Sequence, residues 1–182
     1  ICAILDGRSI AASMGATPQS GVFHNNRVGD FDPFCLPYLM ERTHRSLEEI
    51  LKALSTQSGF LGLSGISSDL RDIEEACEAG DRRAELTIQA FTDSVAGYVG
   101  QYTVYLKGID ALVFTGGIGC NSRLIRARIC QRLAHMGIAI GDDTDTDHDR
   151  EISRPESRIR VWVLQTDEER IIARHTRPWL EA

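Results

Sequence analysis

"LVFTGGIGCNS" (112–122) sets the frame for the rest of the chain. Apolar, β-prone residues run into Gly116, Gly117 and Gly119, and a polar stretch follows. A strand that ends in glycines ahead of a helix lets backbone N–H groups approach a ligand and adopt positive φ. The helix start adds free donors and partial positive charge, as in the phosphate cradles at strand ends of α/β sheets. The spacing is neither GxGxxG nor a P-loop, so a tight strand-to-helix turn explains the glycines equally well.

The flanking pattern is that of an α/β sheet. "ICAILDGRSIAAS" (1–13) reads as a hairpin about Asp6-Gly7, a dipeptide suited to a two-residue turn with positive φ. Residues 14–34 form a long Gly-rich loop, and loops of that length in compact domains are usually functional. A short helix to about Arg42 follows. Next comes a helix opened by a Ser46/Glu49 capping box, with Leu47, Ile50, Leu51 and Leu54 on one face. "GFLGLSGISSDLRDI" (59–73) reads as a second Gly/Ser-rich loop, bearing Asp69, Arg71 and Asp72.

A long helix is expected from about Asp81 to Leu106, with Ala84, Ile88, Phe91, Val95, Tyr98, Tyr102 and Tyr105 inward. Residues 109–114 read as a buried strand, 122–136 as a helix ended by Gly137, "GIAI" (137–140) as a short strand and "RVWVL" (160–164) as another. "TDEERIIARHTRPWL" (166–180) reads as the closing helix.

Composition narrows the function classes. The 182 residues are 42% hydrophobic and 25% charged, with net charge −6. No basic stripe is available to displace counterions, which argues against a nucleic-acid partner. Lysines are confined to Lys52 and Lys107, so arginine dominates the basic residues. The five cysteines are odd in number and lack CxxC spacing, so neither a disulfide framework nor a zinc site is expected, and a reducing cytosol is the default compartment. No apolar run is long enough to span a membrane. The chain opens on Ile1 inside a strand-like run, so it reads as part of something longer.

Four stretches make a specific resemblance. "SMGATPQSGVFHNNRVGDFDP" (13–33), "SGFLGLSGISSDLRDI" (58–73), "VFTGGIGCNS" (113–122) and "QTDEERIIA" (165–173) are similar, in order, to four landmarks of the acetokinase family: acetate, propionate and butyrate kinases. The chain resembles the C-terminal part of such an enzyme. The resemblance implies a ribonuclease-H-like (sugar kinase/actin-like) α/β domain over 1–182, with a mixed sheet flanked by helices and its first strand missing from this chain. It implies ATP-dependent phosphorylation of a short-chain carboxylate, giving ADP and an acyl phosphate, with Mg²⁺, in the cytoplasm, by a homodimer when full length.

The same resemblance implies roles residue by residue. Arg27 matches the arginine that stabilises the transferring phosphoryl group. Glu168 matches a glutamate that helps to hold Mg²⁺. Asp69, Leu70 and Arg71 match one ATP-contacting segment, and Gly116, Gly117, Ile118, Gly119 and Cys120 match another. Other catalytic groups of the family lie upstream of Ile1, so this chain alone is expected to be inactive and marginally folded.

Three departures from the family pattern stand out, of which Cys120 and the His24–Asn26 stretch favour the alternative of a non-catalytic remnant that binds a nucleotide or a partner. Cys120 stands in place of a glutamate, and His24, Asn25 and Asn26 in place of Met, Gly and Thr. Gln165 replaces a proline.

The remaining polar features read as structural. Asp143, Asp145 and Asp147 have calcium-loop spacing, but His148 occupies the glycine position and Arg154 the bidentate-glutamate position, so a solvated acidic loop is expected. Asp30 and Asp32 are expected to fix their loop by turn hydrogen bonds. Cys35, Cys77 and Cys130 are expected to be small buried hydrophobes.

Overall fold

Asp6 and Gly7 both adopt positive φ, 50° and 72°, and close the hairpin of β1 (Cys2–Leu5) and β2 (Arg8–Ala12). The strands are antiparallel, with a register shift at Ala3/Ile4. The computed structural model describes residues 1–143 and 149–180, and these divide into two units.

The first unit comprises Ile1–Ile109 and Gln131–Leu133. After the hairpin and the long loop come α1 (Cys35–Thr43) and α2 (Leu47–Thr56). Both halves of the expected capping box form: the Ser46 side chain accepts the Glu49 amide, and Glu49 accepts the Ser46 amide. The expected inward face of α2 is only partly realised. Ile50 is buried, while Leu47 and Leu51 are exposed. The stretch read as a second loop is mostly helical, as α3 (Gly59–Ser64) and α4 (Leu70–Glu78), which leaves only residues 65–69 as loop. Ser64 makes this possible by turning its hydroxyl onto the Phe60 carbonyl at 2.7 Å, so a turn-forming residue sits quietly at a helix end.

α5 (Arg82–Leu106) starts where expected, with Asp81 accepting the amides of Arg83 and Ala84. Ala84, Ile88, Phe91 and Tyr102 are buried, but Tyr105 is exposed, and Val99 rather than Val95 completes the buried stripe. The core of this unit is centred on edge-to-face packing among Phe23, Phe60 and Phe91, with ring centroids 5.0–5.9 Å apart.

The second unit comprises Asp110–Cys130 and Ala134–Ala182. Its sheet has the order β3 (Ala111–Phe114), β5 (Arg160–Val163), β4 (Arg150–Glu151). β3 and β5 are parallel, and β4 is antiparallel to β5, so the sheet is mixed. α6 (Gly116–Asn121) and α7 (Arg123–Arg132) follow β3, and α8 (Glu168–Leu180) follows β5. Ile125, Ile129, Val161 and Val163 are buried in its core. β3 is not wholly buried: Phe114 is interior and Val113 is exposed. The expected strand at 137–140 reduces to a single bridge, Ile140 to Ser153. Gly137 takes φ 93° past the end of the α7 region, as a helix-stopping glycine should.

Among the described residues no helix is long and apolar enough to cross a membrane. Cys130 is buried, as expected, and burial pushes its thiol up to about 12. Cys35 is exposed and Cys77 only half-buried, because the helix faces that hold them are open.

Candidate functional site

Each unit brings together one pair of the expected segments. In the first unit, residues 24–27 form a turn closed by the Arg27 amide, which donates to the His24 carbonyl at 2.9 Å. Asn25 sits at φ 37° within it. Asparagine is among the few non-glycine residues that tolerate this region, so Asn25 suits the turn. Arg27 is half-buried, and its guanidinium has no hydrogen bond or ion pair among the described residues.

The second segment of this unit lies at the start of α4. Asp69 accepts the Arg71 amide at 3.0 Å as the helix cap, and the Arg71 guanidinium grips the same carboxylate at 2.5–3.2 Å. The Arg71 guanidinium beside it, with the capped amide, holds the Asp69 carboxyl down at about 2. Arg71 is exposed, whereas the Leu70 side chain is buried in the core. The Asn25 side-chain amide donates to the Ser68 carbonyl at 3.0 Å and ties the two segments together. Asp30 and Asp32 act within the loop, as expected. Asp30 accepts the Gly21 amide at 2.9 Å and the Tyr98 hydroxyl at 2.5 Å, and Asp32 accepts the Phe34 amide at 2.9 Å.

In the second unit, α6 leaves the carboxyl end of β3, and residues 165–167 leave the same end of the adjacent parallel strand β5. This is where open α/β sheets bind ligands. The loop expected at Gly116–Cys120 is a short helix, and its glycines have different reasons to be there. Gly116 has φ 69°, where a side chain is strained. A Cβ on Gly119 would meet the Phe114 backbone at 3.2 Å. Gly117 has neither a positive φ nor any atom within 4 Å of a Cβ built on it, so the fold makes no demand for a glycine there.

Cys120 is buried, with its thiol 3.3 Å from the Leu164 carbonyl. Glu168 is exposed on the first turn of α8, and neighbouring Asp167 is committed to the Arg170 amide at 2.9 Å. Among the described residues no group of three or more His, Cys, Asp or Glu could hold a metal ion on its own. Magnesium commonly takes only one or two protein carboxylates when phosphates and water complete its shell, and Glu168 fits that shared role.

Arg126 was not marked by any motif. It is fully buried, and one of its nitrogens donates to the carbonyls of Gly119 and Cys120 at 2.8 and 2.7 Å. Its Nε donates to Asp143 at 2.5 Å, and Arg150 reaches the other Asp143 oxygen at 2.5 Å. Asp143 therefore departs from the solvated loop expected of it: it is buried because two arginines neutralise it. Burial pushes its carboxyl up, but the hydrogen bonds of Arg126 and Arg150 outweigh burial and leave it lowered. Asp145, Asp147 and His148 lie outside the described residues. The only sequence signal for Arg126 was its place one residue beyond Ile125 on the inward side of a helix.

The acetokinase family model matches residues 1–174. This chain belongs to the acetokinase family. It is 43% identical to an acetate kinase of Macrococcus caseolyticus, over 97% of this chain and 45% of that protein. It is 43% identical to a propionate kinase of Yersinia enterocolitica, over 96% of this chain and 42% of that one. The crystal structure of Porphyromonas gingivalis acetate kinase superposes with a TM-score of 0.91 at 38% identity, over 98% of this chain and 46% of that one. Acetate kinase from Entamoeba histolytica superposes at 0.90 with 28% identity, over 97% and 48%. The α/β fold is thus that of acetate and propionate kinases, and the chain spans under half the length of the curated relatives it matches.

Proposed function

We propose that residues 1–182 form the C-terminal nucleotide-binding portion of a kinase that transfers the γ-phosphoryl group of ATP to a short-chain carboxylate. In that reaction a carboxylate oxygen bonds to the γ-phosphorus, the bond from that phosphorus to the bridging oxygen breaks, and ADP leaves. The observation that carries this reading is Gly117: a glycine the fold does not need, with open space above it, at the carboxyl end of a parallel strand.

Each other residue has a task suited to its chemistry. Gly116, Gly117, Ile118, Gly119 and Cys120 would line the nucleotide with backbone groups, and Gly117 would allow close approach. Asp69, Leu70 and Arg71 would form a second contact. There Leu70 contributes backbone only, because its side chain is interior, and Asp69 keeps Arg71 oriented. Arg27, charged and with no side-chain partner among the described residues, suits a planar phosphoryl group that needs multiple donors. Glu168 would supply one oxygen to Mg²⁺, which when bound neutralises phosphate charge. Cytoplasmic location and a homodimer in the full-length protein belong to the same proposal, and the chain by itself is expected to be inactive.

A second reading, a non-catalytic remnant of the family that binds a nucleotide or only a partner, is favoured by Cys120. Its buried thiol donates toward a carbonyl where the family landmark has a carboxylate.

Calorimetric titration of the chain with Mg·ADP and Mg·ATP tests the proposal, with Arg71→Ala and Gly117→Val as controls. Saturable binding, lost in both variants while their melting curves hold, is expected. A folded chain that binds neither nucleotide overturns the nucleotide reading. Restoring Cys120→Glu and finding binding only then would favour the second reading.

A further inference from the structure

The turn that presents Arg27 is held from several sides. The Val28 amide donates to Leu54 O at 3.0 Å, the Ser58 amide to Asn26 O at 3.0 Å and the Leu61 amide to Asn25 O at 3.0 Å. Gly59 lies against the turn at φ 59°, and a Cβ there would stand 2.4 Å from the His24 carbonyl oxygen and 2.7 Å from that of Arg27. Neither approach is open to any other residue. From the other side, the Asn25 side chain reaches Ser68 O, one residue before the capping Asp69.

We propose that Asn25 and Gly59 are positioning residues that hold Arg27 in register with the Asp69–Arg71 segment, so that both meet one phosphate-bearing ligand as a preformed pair. The nature of the ligand rests on the nucleotide reading above; the register does not. Two requirements meet at Asn25. The backbone needs a residue that accepts positive φ, and the Ser68 carbonyl needs a donor. Glycine meets the first only, alanine neither. Aspartate has the shape of asparagine but would set a carboxylate against the carbonyl oxygen. Gly59 sets the distance between the turn and α3. Any larger residue must push the Arg27 backbone outward, and small displacements of a charged group weigh heavily on a bound phosphate.

The experiment compares wild type with Asn25→Gly, Asn25→Asp and Gly59→Ala in the 182-residue chain. It measures melting temperature, amide hydrogen exchange at Arg27 and Leu61, and affinity for Mg·ATP. In Asn25→Gly and Asn25→Asp the two amides should exchange about fivefold faster, and Mg·ATP affinity should fall about fivefold with little change in melting temperature, the scale of one hydrogen bond. Gly59→Ala should lower affinity by tenfold or more. A purely structural role would move melting temperature and affinity together. Wild-type exchange rates in Asn25→Gly and Asn25→Asp overturn the proposal, as do Mg·ATP affinities within twofold of wild type in all three variants. If wild type itself does not bind Mg·ATP, the nucleotide reading falls. Faster exchange in the variants would then still support the register, and unchanged exchange would overturn it.

Discussion

Replacing Arg126 with methionine should weaken the second unit by about 3 kcal/mol. The side chain is fully buried and donates to Asp143 and to the carbonyls of Gly119 and Cys120. Removing one partner of a buried ion pair usually costs about 3–5 kcal/mol, because the other charge is left buried. Two features hold the figure to the lower end. Asp143 keeps Arg150 at 2.5 Å, and methionine relieves the burial of the one Arg126 nitrogen that has no hydrogen-bond partner among the described residues. For a chain of this size the melting temperature should fall by roughly 6–12 °C.

Urea denaturation followed by tryptophan fluorescence is the assay. Both tryptophans, Trp162 and Trp179, lie in the second unit, so the signal reports that unit. Asp143→Asn and the double variant complete a cycle. Asparagine leaves no orphan charge and still accepts from Arg150, so the double should be less damaged than the sum of the singles by about 1–3 kcal/mol. Arg126→Met within about 1 kcal/mol of wild type, or strictly additive effects, would refute the claim that a buried charge pair fastens the glycine helix.

Further outcomes follow from the same structure. Gly117→Ala should hold or raise stability, by up to about 1 kcal/mol on helix propensity, yet lower Mg·ADP affinity at least tenfold by calorimetry; Gly116→Ala, at φ 69°, should instead lose about 1–2 kcal/mol. Asp69 should titrate near 2 by carboxyl NMR, and Arg71→Ala should return it toward 3.8. Because the folded value is depressed, the stability this pair contributes is present above the ordinary carboxylate range and is lost as pH falls from about 4 toward 2. Ser46→Ala, which removes a complete capping box, should cost about 1 kcal/mol in chemical denaturation.

What the residues determined alone was local or repeated. Asp6-Gly7 specifies its turn through two positive φ values, Ser46 with Glu49 specifies a helix start, and Asp81 another. In each case the residues concerned lie within three positions of one another, so the rule needs no knowledge of the fold. Four landmark stretches in order sufficed for the family, because many matched positions together are improbable by chance. Tertiary structure decided the rest. Helix α3 displaced an expected loop, because Phe60 packs with Phe23 and Phe91, from a loop and a helix distant in sequence. Asp143 is buried rather than solvated because Arg126, 17 residues away, neutralises it. Asn25 holds Ser68 across 43 residues, and Gly59 is required by carbonyls it meets only after folding. Burial and charge pairing are properties of neighbours in space, and the linear order of residues does not name those neighbours.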